Sequence, residues 1–473
     1  MSNPVPIGGE PVVTDGEIAV RRPGDGVLVA RVPRCGPAEV DRACAAAAAA
    51  AARGAPPPHE RAEVLETASA ALLADRDWYA ERICAEAGKP IRTARAEVAR
   101  CADTLRFAAV EARRLTGEMV PMDASASGVG KLAFTVREPI GVLAAITPFN
   151  FPLNLVAHKL APAVAAGCPV VCKPAPQAPL SAIALVELLT DAGLPADWIS
   201  VVTDDGREAA EPLVVHDAPA MISFTGSAEV GWAIAARAPR KKVALELGST
   251  APAIVCADAD VGHVAGKIAA GAFGYAGQSC IAVQRVLVDR RVHAELRDAL
   301  AERAGGLVVG DPAEEATDVG PLIDEAAAQR VTALVDAARS DGATVVTGGD
   351  RNGAYVTPAV VDDPPADSRV VTEEAFGPVV TVEPCDGLDD AVARANAARL
   401  RLQAGVFTRD LSRATAAASA LRYGGVLVGE VPTFRADQQP YGGHGEAGNT
   451  REGPRYAVAE MTFDKFVSLP WRD

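Results

Sequence analysis

The chain has 473 residues, 49% of them apolar and 23% charged, enough for two or three domains around a large core. Its 46 basic residues are outnumbered by 61 acidic ones, for a formal net charge of −15. That balance excludes a nucleic-acid or membrane-surface protein, which would repel its polyanionic partner, but not a small anionic ligand held by a few local arginines.

The opening "MSNPVPIGGEPVVTDGE" lacks a basic stretch followed by an apolar core, so no secretory leader is expected and the cytoplasm is the expected compartment. The first hundred residues read as alternating helices and turns. The alanine-rich "EVDRACAAAAAAAARGAPPP" predicts a helix stopped by Gly54 and the prolines, and "HERAEVLETASAALLADRDWYAERICAEAGKP" predicts further helices. From residue 132 the pattern changes. "LAFTVREPIGVLAAITP" reads as strand, turn and strand, and "LNLVAHKLAPAVAAG" as a helix. The apolar stretch 141–157 does not span a membrane, because Pro148, Asn150, Pro152 and Asn154 interrupt it.

"CPVVCKP", "ISVVT" and "AMISFTGS" are short strands, with helices "APLSAIALVELLTDAGLP" and "AEVGWAIAARA" among them. Such alternation is the mark of βαβ units and a parallel sheet, and a second series follows Cys280. The fold class is therefore α/β, with two parallel-sheet domains. The nine cysteines are scattered, with no Cys-x-x-Cys pair and only six histidines in the chain, so neither a disulfide framework nor a metal site is expected.

Several stretches carry chemistry. In "FTGSAEVG" a strand ends at Gly226 and a helix starts near Ser227, with Gly231 in its first turn. Free N–H groups at such a terminus suit a pyrophosphate, although the spacing is not Gly-x-Gly-x-x-Gly and an ordinary βα turn is the alternative. Lys173 follows an apolar strand, where ribose hydroxyls or plain solvent are both within reach. Glu246 lies in the apolar "ALELGSTAPAIV", where burial would raise its pKa toward that of a base for water, unless it faces solvent at a strand edge. Cys280 in "GAFGYAGQSCIAVQR" needs a route to thiolate and an oxyanion donor, which the Asn150 amide in "TPFNFPLN" offers. An inert buried thiol is the competing reading.

Together "TPFNFP", "KPAPQ", "FTGSAEVG", "LELG", "GQSC", "EEAFGPV" and "PYGG" stand in the order found in the aldehyde dehydrogenase superfamily, which the chain resembles over nearly its whole length. The resemblance implies NAD(P)-dependent oxidation of an aldehyde to the acid. Cys280 would form a thiohemiacetal and then a thioester, Asn150 and the Cys280 N–H would hold the oxyanion, and Glu246 would activate the hydrolytic water. It further assigns Gly226, Ser227 and Gly231 to the pyrophosphate, Lys173 to the adenosine ribose, and Glu374 with Phe376 to the nicotinamide ribose.

Pro176 stands where NAD-preferring members often carry a glutamate, so NADP remains open beside NAD. Arg401 and Gly429, where glycine and asparagine are usual, and "GSTAP" mark a divergent member. "VPTFRADQQPYGG" with "REGPRYAVAEMT" resembles the branch of lactaldehyde, phosphonoacetaldehyde and sulfolactaldehyde dehydrogenases, with glyceraldehyde-3-phosphate enzymes as near relatives. Arg435, Arg106 and His158 are the candidate clamp for a phosphonate, phosphate, sulfonate or carboxylate. Arg106 paired to a local acid, and His158 packed within its helix, are the alternatives.

The implied organisation is a cofactor domain (1–120 and 139–249), a catalytic domain (250–445) and a bridging element (121–138 and 458–473) that joins protomers into a homodimer or homotetramer. A coenzyme-A-acylating semialdehyde dehydrogenase and a catalytically silent homologue are the rivals; Glu246 opposes the first, and Cys280, Asn150, Glu246 and Glu374 together oppose the second.

Overall fold

The structure is a computed structural model that describes residues 3–471; residues 1–2 and 472–473, the outer ends of the expected cofactor and bridging segments, lie outside it. Its first large sheet has five parallel strands. Their spatial order is Lys242–Glu246, Pro219–Thr225, Val142–Ile146, Val170–Lys173 and Ile199–Val201. The chain starts at the central strand, Val142–Ile146, adds two strands on one side and then two on the other. This reversal opens a crevice beyond the carboxyl ends of Val142–Ile146 and Pro219–Thr225, the place where such sheets bind ligands.

The helix Asn154–Ala166 is buried at every position, which explains why its sequence is apolar all round rather than along one stripe. It packs against Ile91–Arg113, which in turn packs on Pro58–Ala74.

A second sheet has seven strands, in the order Thr344–Thr347, Ala359–Asp362, Val379–Cys385, Arg285–Asp289, Pro252–Val255, Gln403–Phe407 and Gly425–Val428. Only the edge strand Thr344–Thr347 runs antiparallel to its neighbour. The central strands are buried on both faces, and the polar residues within them are paired, as Arg285 is with Glu383. A smaller antiparallel sheet sets Lys131–Pro139 between Met119–Val120 and Thr462–Pro470.

Residues 5–33 depart from the expected helices and turns. They form two hairpins, Val5–Ile7 with Glu10–Val12 and Glu17–Arg21 with Leu28–Pro33. The alternation of buried and exposed side chains in "EIAVR" is a period-two signal, but over five residues it is weak beside the strongly helical segments that follow. Among the described residues no helix is long and apolar enough to cross a membrane, and no group of His, Cys, Asp and Glu has the arrangement of a metal site.

Candidate active site

A cleft of about 730 Å³ lies at the carboxyl ends of the five-stranded sheet. Eight residues singled out in the sequence line it: Asn150, Lys173, Gly226, Ser227, Glu246, Cys280, Glu374 and Phe376. Gly231 sits just beneath, in the helix Ala228–Arg237.

Cys280 is the one cysteine of nine with partial exposure; the other eight are buried. It reaches the cleft by way of an irregular turn after the helix Val261–Phe273, in which Tyr275 and Ala276 both take a left-handed φ of 51°. The Tyr275 hydroxyl donates to the Ala87 carbonyl (2.8 Å), and the Gln278 amide oxygen accepts the Ile323 N–H (2.9 Å). Ser249 donates to the Cys280 carbonyl. Among the described residues no acceptor engages the Cys280 N–H, which leaves it free to face an oxyanion. Burial pushes the thiol up to about 12, opposed by a hydrogen bond from Tyr441 and by Arg435, and reinforced by the carboxyl groups of Glu374 and Glu246.

Asn150 lies in the loop after the strand Val142–Ile146. Its amide donates to the Gln278 carbonyl at 2.9 Å, tying the oxyanion loop to the cysteine turn and leaving the second N–H uncommitted. The loop is held from below by Glu97, whose Oε1 accepts the N–H groups of Leu153 and Asn154 at 3.0 and 3.1 Å. Glu97 is paired with the buried Lys89, whose ammonium lies 3.6 Å from the Phe151 ring centroid. Nothing in the local sequence around Lys89 and Glu97 announced this support.

Glu246 ends the strand Lys242–Glu246, is 2% exposed, and has no hydrogen-bond partner at either carboxylate oxygen. An unpaired buried carboxylate loses several kcal/mol of hydration. Burial, and then the nearby Glu452 charge, accordingly hold Glu246 well above the ordinary carboxylate range. Glu452 goes the other way: burial opposes its ionisation, but Lys159 and Arg435 keep it charged.

At the far end of the cleft Ser227 caps the helix Ala228–Arg237, its hydroxyl accepting the Val230 N–H at 3.4 Å. A Cβ on Gly231 would come within 2.5 Å of Leu247 Cδ2, so a larger residue there would have to displace that side chain. A Cβ on Gly248 would fall 2.1 Å from the Glu374 carboxylate, so this glycine lets Glu374 into the cleft. The Glu374 Oε1 accepts the Ser249 N–H at 3.0 Å, and burial pushes its carboxyl up to about 7. Phe376 packs edge-on against Phe149, with 5.9 Å between ring centroids.

Lys173 is 2.7 Å from Asp204, a carboxylate at the end of the neighbouring strand that is itself anchored by the N–H groups of Ala209 and Ala210. A long cleft with a free helix N-terminus, a lysine at one end and a carboxylate beside the cysteine at the other has the dimensions and chemistry to hold a dinucleotide.

Behind Cys280 lies a second region, densely charged and packed. Arg435 donates to Glu452 (3.0 Å) and approaches His158 Nε2 (3.1 Å); its guanidinium sits 3.8 Å over the Tyr441 ring, and its Nε is buried without a partner. His158 is 1% exposed, contacts Asp437 at 2.9 Å, and has an unpartnered Nδ1. Burial, then Arg435, lowers its pKa. Asp437 is also bound by Arg100 and held below the usual carboxylate range: burial opposes this, but His158 and Arg100 prevail.

Arg106 is not brought to this region. It is 60% exposed and paired with Asp103 on the outer face of the helix Ile91–Arg113. Six residues separate it from Arg100, roughly 240° round a helix, so the two face different ways. Arg100, Asp437, Lys159, Glu452 and Asp204 were all missed, because each acquires its meaning only from a partner distant in sequence.

Comparison with known proteins follows the same lines. The sequence model described as "Aldehyde dehydrogenase family" matches residues 12–467. A 3-sulfolactaldehyde dehydrogenase of Priestia aryabhattai is 43% identical over 411 residues, 87% of this chain and 86% of that protein. The crystal structure of aldehyde dehydrogenase 21 from Physcomitrella patens, in complex with the reaction product succinate, superposes with a TM-score of 0.96 at 38% identity, covering 99% of this chain and 98% of that one. An NADP-dependent glyceraldehyde-3-phosphate dehydrogenase from Bacillus halodurans C-125, complexed with NADP, gives 0.96 at 36% identity with both chains fully covered.

Proposed function

The chain belongs to the aldehyde dehydrogenase family and is an NAD(P)-dependent aldehyde oxidoreductase, and we propose that it oxidises a small aldehyde bearing an anionic group, or a 2-hydroxy aldehyde, through covalent catalysis at Cys280. The observation that carries this reading is the convergence of Cys280, Asn150 and Glu246 at one end of a dinucleotide-shaped cleft.

The bound nicotinamide dinucleotide would supply the hydride acceptor. Cys280 attacks the aldehyde carbon, and the free Asn150 and Cys280 N–H groups receive the oxyanion of the thiohemiacetal. Asn150 is fixed by Gln278, so little reorganisation is needed as charge develops. At the thioester stage Glu246, once deprotonated, takes a proton from water, which attacks the acyl carbon and releases the acid.

The anionic preference is supported by Arg435, a buried cation whose Nη2 lies 3.1 Å from His158 Nε2 and whose Nε has no partner. A planar guanidinium fork with a spare N–H suits a carboxylate, sulfonate or phosphate oxygen. The relatives named above act on or yield compounds of this kind, a sulfonate, a dicarboxylate and a phosphate. Residues 1–120 and 139–249 would form the cofactor unit and 250–445 the catalytic unit. The bridging element (121–138 and 458–473) would join copies into a dimer or tetramer, a role supported by Phe463, Phe466 and Leu469, about half exposed on its last strand.

The test is absorbance at 340 nm with NAD⁺ or NADP⁺ and a panel of phosphonoacetaldehyde, glyceraldehyde 3-phosphate, lactaldehyde, succinic semialdehyde and a neutral alkanal. Turnover concentrated in the anionic or 2-hydroxy members is expected; preference for the neutral alkanal would overturn the substrate assignment.

A further inference from the structure

The Cys280 thiol has an unusual neighbour. Its Sγ lies 2.9 Å from the Tyr441 hydroxyl, on a residue 161 positions away in the "PYGG" segment. Tyr441 is 3% exposed and rigidly held: its N–H donates to the Glu452 carbonyl (3.1 Å), and the Glu452 N–H donates back. The side chain packs with Ile281, Leu402 and Ala447 beside Cys280. On its ring lies the Arg435 guanidinium, 3.8 Å from the centroid and tied to Glu452. The phenol is therefore held with its oxygen against the sulfur, where it can donate to a thiolate.

A thiol in this place resists ionisation. Burial and the carboxyl groups of Glu374 and Glu246 oppose its charge, while Asn150 and the Cys280 N–H are reserved for the substrate oxygen. Of the groups facing the sulfur, Tyr441 and Arg435 alone favour the thiolate. A hydrogen bond to an anion is about twice as strong as one between neutral groups, and a cation on a phenol ring makes the O–H a better donor.

We propose that Tyr441 is a further catalytic residue: its hydroxyl donates the hydrogen bond that holds Cys280 as the thiolate, with the stacked Arg435 strengthening that donor. The proton lost from sulfur leaves through the cleft, which Cys280 lines. The same contact aims the sulfur and leaves the Asn150 amide to the substrate. The proposal rests on Cys280 being the nucleophile, and its test separates the two ideas.

The experiment is the pH dependence of iodoacetamide alkylation, with the labelled cysteine identified by peptide mass spectrometry, in the wild type, in Tyr441→Phe and in protein carrying 3-fluorotyrosine at 441. The phenylalanine variant keeps the ring and its packing. Its alkylation midpoint for Cys280 should rise by about one pH unit, with roughly tenfold slower labelling near neutrality. The more acidic fluorinated phenol should move the midpoint down. Coincident profiles in all three proteins would overturn the role of Tyr441 and leave the nucleophile standing. Fast labelling that spares Cys280 in the wild type would count against the nucleophile itself.

Discussion

The two sides of Cys280 are built on different plans. The cofactor side is an open cleft of about 730 Å³, assembled from strand ends and the turns that follow them. The aldehyde side is closed, a packed lattice of Arg435, Glu452, Lys159, His158, Asp437 and Arg100 in which nearly every charge faces an opposite one. The cofactor side needs backbone N–H groups, a helix terminus and small residues, all properties of short contiguous segments. The aldehyde side needs buried charge, which is tolerated only when partners arrive from other elements. On the proposed reading, one side is general, the other is particular, and substrate choice belongs to the second.

The sharpest way to separate the two sides is Cys280→Ala. Turnover should fall more than about 1,000-fold, because the covalent route is lost. Cofactor affinity, read by nicotinamide fluorescence, should be unchanged; a parallel loss of both would mean that the two sides are not independent.

Removing the base tests where they meet. Glu246→Gln should slow steady-state turnover about 100-fold or more. In the wild type, deacylation should accelerate as pH rises through the Glu246 titration, since only the deprotonated carboxylate accepts a proton and burial has raised its pKa. The variant should lose that pH limb.

Arg435→Met probes the aldehyde side together with the Tyr441 donor on Cys280. The kcat/KM for an anionic aldehyde should drop about 10- to 100-fold, the worth of a charge-assisted hydrogen bond, with a smaller loss for a neutral aldehyde of the same length. Equal losses for both aldehydes would count against an anion contact at Arg435.

The smallest effect belongs to the cofactor side. Asp204, just beyond the neighbouring strand, pairs with Lys173 at 2.7 Å. Asp204→Asn should leave Lys173 uncompensated and raise NADPH affinity relative to NADH about threefold by fluorescence titration. An unchanged ratio would show that the pair only anchors the loop.

Legibility in the sequence followed the same division. Gly226, Ser227, Lys173, Glu246, Cys280 and Glu374 each sit where a strand or helix pattern changes, and the structure gathers all six around one cleft. The alternation of strands and helices likewise announced both large sheets. On the aldehyde side Arg435 and His158 were picked out, yet Arg100 was passed over for Arg106, because an arginine's direction on a helix depends on which face the fold buries. Lys159 and Glu452 meet across 293 residues, and no local pattern encodes that pairing. The hairpins of residues 5–33 were lost for a simpler reason: strands of three to six residues leave too short a period to read.

The central claim, covalent catalysis at Cys280 on an anionic aldehyde, is tested most directly by intact-mass and peptide mass spectrometry of Glu246→Gln quenched during turnover with cofactor and 3-sulfolactaldehyde or succinic semialdehyde. An acyl mass on the peptide containing Cys280, accumulating to nearly one per chain, is the expected result. Turnover with no adduct there, or an adduct on another side chain, would contradict the account.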